Sequence, residues 1–302
     1  MGLLWCLQAL TGVLLVFRWE LDDATLRAPA VALDPAALAA RIEAIGRERG
    51  LVNSVWTSGS RQGRFDIYYA DASGADRTLR VDGAGRPLRD AADSALVGDG
   101  GLYNTLTVLH QTLFAGEAGG WIIGISGLLL LSNLAVGLGM AWPRSWRWRT
   151  VLLARPAGNA RARLAGWHRL IGCWLALPAL VIVMAGITLV FKDAAERALG
   201  AQSPEPDRAS LSREGKGAIG SATVIDAALS RHPRATLTAL VMPADDAPWY
   251  RVRLRTPDQD LWIWGTTTLY FSAADGRLLL EQPSATAPPA RRLIDALYPI
   301  HT

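Results

Sequence analysis

The sequence predicts an α-helical membrane protein carrying two small α+β modules outside the bilayer. Three observations point there. Residues 120–142 and 170–191 are long apolar runs without a single charge. The short connection between them is crowded with arginine and holds no acid. The stretches that follow residues 17 and 191 repeat one another in pattern. Half of the 302 residues are hydrophobic, an average that hides a division between very apolar stretches and ordinary soluble-looking ones.

Crossing roughly 30 Å of hydrocarbon takes about 20 mostly apolar residues. Residues 120–142 (GWIIGISGLLLLSNLAVGLGMAW) and 170–191 (LIGCWLALPALVIVMAGITLVF) reach that length. Residues 1–17 (MGLLWCLQALTGVLLVF) form a third span at the short end of the range. A cleaved signal peptide would carry a basic start and a small-residue cleavage site. Here no Lys or Arg precedes Leu3 and the run ends in Arg18-Trp19-Glu20, which favours a span. Trp5, Trp121, Trp142 and Trp167 stand near span ends, as an aromatic belt requires. Pro178 is expected to kink its span. Gly124, Gly127, Gly137 and Gly139 would admit close helix packing or the approach of a flat macrocycle. Cys6 and Cys173 offer no metal or disulfide spacing and read as small buried apolar residues.

Orientation follows from the basic residues. Arg144, Arg147, Arg149, Arg155, Arg161, Arg163 and Arg169 lie between the second and third spans, marking residues 143–169 as a cytoplasmic connection. Residues 18–119 and 192–302 mix both signs and face the other side, which for a bacterial inner membrane is the periplasm. The net charge of +4 therefore reports topology. A nucleic-acid partner is disfavoured because the basic cluster abuts the membrane.

The chain repeats itself. ALTGVLLVFR at 9–18 matches VMAGITLVFK at 183–192, pairing Gly12 with Gly186 and Phe17 with Phe191. Each match is followed by a module with one helix and a small antiparallel sheet. In the first, 35–49 reads as an amphipathic helix, 52–58, 64–69 and 78–81 as strands, and 82–85 as a turn. In the second, 223–230 is the helix, 236–241, 249–255 and 266–272 are strands, and Asp275-Gly276 is a hairpin turn. Trp262 and Trp264 read as part of a sheet face, and 200–217 as a linker rich in Ser, Pro and charge. The most informative match comes last. LYNTLTVLH at 102–110 parallels LIDALYPIH at 293–301, so His110 and His301 are equivalent. By this logic a fourth span is expected after His301, and the counterpart of His168 is expected before residue 1. The chain then reads as a fragment of a longer, four-span protein.

Three of the four histidines thus border spans, His110 and His301 on the outer side and His168 on the inner. Histidine in a membrane is costly and usually functional. Neutral imidazole is an axial ligand of haem iron, and helix bundles build cofactor sites from facing helices. Two equivalent histidines at one depth suit one haem between them, and His168 would serve a second site with its missing counterpart. Interfacial hydrogen bonding remains open for all three. His232, in SRHPR, reads as solvated or helix-capping. Motifs for hydrolases, metalloproteases and nucleotide enzymes are missing from the sequence.

These residues give a resemblance. WHRLIG at 167–172, AGITLVFK at 185–192, LHQTLFAGEAGGWIIGISGLLLL at 109–131 and LYPIHT at 297–302 are together similar to the PepSY-associated transmembrane family. LYFSAADGRLLL at 269–280 and LRVDGAGRPL at 79–88 look like PepSY strand–turn–strand units. The resemblance implies the following division: span 1–17, module 18–101, His-bearing segment and span 102–142, basic connection 143–169, span 170–191, module 192–292, and a His-bearing start of a further span at 293–302. It also implies an inner-membrane protein with periplasmic modules and haem b on His110, His301 and His168. The implied enzyme is a ferric-siderophore reductase of iron uptake, fed by an inner-side electron donor. A second reading, drawn from the association of PepSY modules with peptidase propeptides, is a non-enzymatic sensor or protease regulator. A transporter subunit has no support, because the spans hold no acid or base.

Overall fold

The computed structural model describes residues 2–26, 28–29, 31–58, 63–97, 101–143, 148–153, 156–207, 219–259 and 264–302. The chain divides into two compact units. One comprises Met1–Leu10, Val108–Gly200 and Ala296–Thr302, and the other Thr11–Thr107 and Ala201–Asp295.

The first unit is helical. It contains α1 (Gly2–Val16) up to Leu10, the end of α4 (Gly101–Thr112), α5 (Gly116–Ala141), α6 (Trp148–Leu153), α7 (Ala160–Val190), α8 (Lys192–Leu199) and the end of α10 (Pro289–His301). Only α5 and α7 among the described residues are long and apolar enough to cross a membrane. The expected span at 1–17 is the apolar helix α1, but its fifteen residues rise only roughly 22 Å, less than the hydrocarbon core. Asn159 starts α7 by accepting a hydrogen bond from the Ala162 N–H at 2.9 Å. The basic connection is therefore partly helical: Arg161, Arg163 and Arg169 belong to α7 and Arg149 to α6. Arg144, Arg147 and Arg155 lie outside the described residues. The helix runs through Pro178 without ending.

α5 and α7 pack together at glycine. A Cβ on Gly124 would stand 2.5 Å from the Phe191 ring, and one on Gly127 would stand 2.8 Å from Ile187. These two glycines serve helix packing, whereas nothing lies within 4 Å of Gly137 or Gly139. Trp121 stacks at a tilt on Phe191, 5.3 Å between ring centres. Trp5 donates to the Ser126 carbonyl at 3.2 Å, so it pins α1 to α5. Cys6 is exposed on α1 and Cys173 half-buried, which corrects the expectation that both are buried.

The second unit is one antiparallel sheet with two helices on a face. Its strands are β1 (Gly50–Thr57), β2 (Arg64–Asp71), β3 (Asp76–Asp82), β4 (Pro87–Ala92), β5 (Thr236–Val241), β6 (Trp249–Arg255), β7 (Thr267–Ser272) and β8 (Leu278–Gln282). The order is β4-β3-β2-β1-β5-β6-β7-β8. The sequence suggested two separate small sheets. Instead each half keeps its helix and four strands, and the halves share one sheet through β1 and β5. Ser54, Val55 and Trp56 pair with Val241, Leu240 and Ala239. A strand edge left open exposes unpaired N–H and C=O groups, and this pairing closes one edge of each half. Trp264 meets Trp56 edge-on at 6.2 Å, while Trp262 is outside the described residues, as are 208–217 of the expected linker.

α3 (Pro35–Glu48) and α9 (Ser221–Arg231) pack together against this sheet. Asp34 caps α3 by accepting from the Ala37 N–H at 3.0 Å, with Pro35 in the first turn. Alternation along the strands sends Phe65, Ile67, Leu79, Val81, Val252, Leu254, Leu269 and Phe271 into one core with Leu38, Ile42, Val224 and Ile225.

The opposite face of the first half is charged and yet buried. There α2 (Arg18–Thr25), unforeseen in the sequence, brings Asp22 to Arg80 and Arg89. Arg80 holds Asp66 through two bonds of 2.8 and 3.0 Å, and Arg89 reaches Asp22 at 2.9 Å. Burial by itself pushes the Asp22 carboxyl up, but the Arg89 hydrogen bond and the Arg80 charge outweigh it and hold the group below the aspartate range.

Breaking such a pair leaves an uncompensated buried charge. Arg80→Leu should therefore cost about 3–5 kcal/mol in urea unfolding of the detergent-solubilised chain. Because the native Asp22 carboxyl is depressed, its contribution is complete above the usual value of 3.8 and is lost as pH falls through the lower native value. The stability gap between wild type and Asp22→Asn should stay constant near neutrality, begin to close below about 3.8 and finish closing at the lower native value.

Candidate functional site

The helical unit brings two of the expected site residues together. His110 occupies the last turn of α4. Beyond it the chain turns through Leu113 and Phe114, at φ of 50° and 60°, before α5 begins. Left-handed backbone at two successive non-glycine residues is costly and persists only where the surroundings enforce it. Gly119 supplies part of that enforcement, since a Cβ there would lie 1.6 Å from the Thr112 carbonyl oxygen. His301 ends α10, which contains Pro299 in its last turn.

The rings of His110 and His301 stand 6.2 Å apart, centre to centre, with their planes 42° from parallel. Each is half-buried and each has a backbone carbonyl as partner. His301 Nδ1 lies 3.0 Å from the Ile182 oxygen. A carbonyl can only accept, so Nδ1 carries the proton and donates, leaving the Nε2 lone pair for another use. His110 is hydrogen-bonded by the Gln8 backbone. The repeat that aligns 9–18 with 183–192 places Gln8 opposite Ile182. Two equivalent histidines thus rest on two equivalent carbonyls. Gly186 completes the seat of His301, because a Cβ there would come within 2.7 Å of the ring Cε1.

The two rings could hold a metal-bearing group between them. Metal–imidazole bonds run about 2 Å, so rings with centres about 6 Å apart would both be within reach of one shared metal. A ligating histidine normally donates its second N–H to a carbonyl or carboxylate, which fixes tautomer and orientation. Among the described residues no three His, Cys, Asp or Glu side chains gather to cage a bare ion. Two histidines suit iron whose other positions a macrocycle already fills.

His168 does not join them. It is exposed on α7, roughly 27 Å along the helix from Gly186. Among the described residues no second imidazole is paired with it. His232 caps α9 and approaches Glu281 at 3.0 Å, in keeping with a capping role. Sequence reasoning missed the parts of the seat that are backbone, the Gln8 and Ile182 carbonyls. Their one signal was the repeat itself.

A family model described as the PepSY-associated TM region matches residues 1–302. Curated proteins gave no match.

Valine at position 186 would collide with the His301 ring, and overpacking of this kind costs about 1–3 kcal/mol. In nitrogen NMR of histidine-labelled protein, wild-type His301 should appear as the Nδ1–H tautomer. That signature should disappear in Gly186→Val while the His168 resonance stays in place. An Nε2–H tautomer in the wild type would contradict the bond to Ile182.

Proposed function

The chain belongs to the PepSY-associated transmembrane family, and from that premise we propose that it is a haem-binding electron-transfer protein of the bacterial inner membrane. Its substrate is ferric iron held in a siderophore on the periplasmic side, and its electrons come from an inner-side donor. The observation that carries the reading is the facing pair His110 and His301, 6.2 Å apart and each seated on a backbone carbonyl.

The chain's own residues do three things in this reading. His110 and His301 hold the group from its two sides. The Gln8 and Ile182 carbonyls take up the second N–H of each ring, so each imidazole can present a lone pair inward rather than a proton. Gly186 leaves room for the His301 ring where any other side chain would intrude. Haem b bound there supplies one-electron chemistry, cycling between ferric and ferrous iron. The arginines of 143–169 set the orientation, placing residues 18–119 and 192–302 outside.

Full-length protein purified from haem-replete cells should show a b-type absorption spectrum that sharpens on chemical reduction. His110→Ala and His301→Ala should each abolish it, and His168→Ala should keep it. A colourless wild-type protein that is monodisperse and fully helical would sink the proposal.

A further inference from the structure

We infer that the arginine-bearing end of α7 and the apolar groove between α5 and α7 together bind one acidic phospholipid. This is independent of the haem reading and concerns the opposite end of α7. The groove encloses about 200 Å³ and is apolar, walled by Leu134 and Leu138 of α5 and by Cys173, Ala176 and Leu180 of α7, among others. On α7 the residues 173, 176, 177 and 180 form one stripe at helical spacing. Continued toward the N-terminus, the same stripe reaches Arg169, and Arg161 and Arg163 stand on its two flanks. From Leu180 to Arg169 it runs roughly 16 Å, the reach of an acyl chain lying along the helix. One face of α7 is thus apolar and then cationic, in the order of a lipid's chain and phosphate.

The cationic end is held in place. Arg169 donates to the Ala141 carbonyl at 3.1 Å, across the C-terminus of α5, and has further guanidinium donors to offer. Trp174 donates to the Leu152 carbonyl at 3.1 Å, which binds α6 and its Arg149 to α7. Arg149, Arg161, Arg163 and Arg169 are all exposed and form no ion pair among the described residues. Residues 143–169 contain no acid at all. Uncompensated guanidinium groups beside an apolar groove match a phosphate with net negative charge, and they disfavour a headgroup that carries its own cation.

The test uses the full chain in vesicles of phosphatidylglycerol or of phosphatidylcholine with matched acyl chains, read by thermal midpoint and by the lipid retained on extraction. Wild type should melt higher in phosphatidylglycerol and retain it several-fold over phosphatidylcholine. Arg161→Gln with Arg169→Gln should remove that difference, each variant being compared with its own phosphatidylcholine midpoint because Arg169 also holds the Ala141 carbonyl, and the corresponding lysine variants should restore it. Ala176→Phe, which fills the groove and keeps every arginine, should remove it too. Equal midpoints in the two lipids would overturn the inference. So would a full gain in Ala176→Phe, which would mean diffuse attraction to a charged surface. So would an equal gain from inorganic phosphate in phosphatidylcholine vesicles, which would mean a free anion.

Discussion

A polar group removed from water must find a partner, and this constraint runs through both units of the protein. In hydrocarbon the backbone has to satisfy itself, so α5 and α7 are continuous helices. At their ends the requirement passes to side chains. Asn159 takes an orphan N–H at the start of α7, and Arg169 reaches the last carbonyl of α5. The histidines obey the same rule in an instructive way. Each finds a backbone carbonyl for one nitrogen, which answers only half of what an imidazole can do. The other half is what makes the pair chemically interesting.

In the sheet unit the constraint acts on strand edges and on buried charge. β1 and β5 each begin a half-sheet, and each would expose a ladder of unpaired backbone if left alone. Pairing them converts two four-stranded sheets into one of eight and lets α3 and α9 share a core. On the other face, Asp66 and Arg80 point away from that core at strand alternation. They would be solvent-exposed in a bare half-sheet. α2 covers them, and it can do so because Asp22 supplies the charge that Arg80 and Arg89 require.

What was legible in the sequence follows from which signals are local. The apolar runs announced α5 and α7, and the β-branched and aromatic alternation gave β5 and β6 to the residue. Gly85 and Gly276, both with positive φ, marked the turns between β3 and β4 and between β7 and β8. The equivalence of His110 and His301 was also legible, because it is a repeat. Three features were not. α2 reads RWELDDAT, too polar and short for a helical pattern, and its stability comes from tertiary ion pairs. The β1–β5 junction joins residues far apart in sequence, and edge pairing leaves no composition signature. The length of α7 was underestimated because its first turns are polar and arginine-rich, which hydropathy reads as loop.

The repeat explains why the candidate site and the sheet share one logic. Neither half of the chain carries a finished version of either. The first half contributes His110, Gln8, β1 and α3, and the second contributes His301, Ile182, β5 and α9. In the helical unit the halves meet at two imidazoles on matched carbonyls. In the sheet unit they meet at two edge strands. An isologous junction makes each residue face its own equivalent, as in a symmetric dimer. A single histidine at the end of a helix is an ordinary hydrogen-bonding group. Duplicated and brought face to face, two such groups could hold a metal-bearing group between them without any further residue being recruited. That is the physical reason to look for the protein's chemistry at this junction rather than at His168, which the fold leaves unpaired with a second imidazole among the described residues.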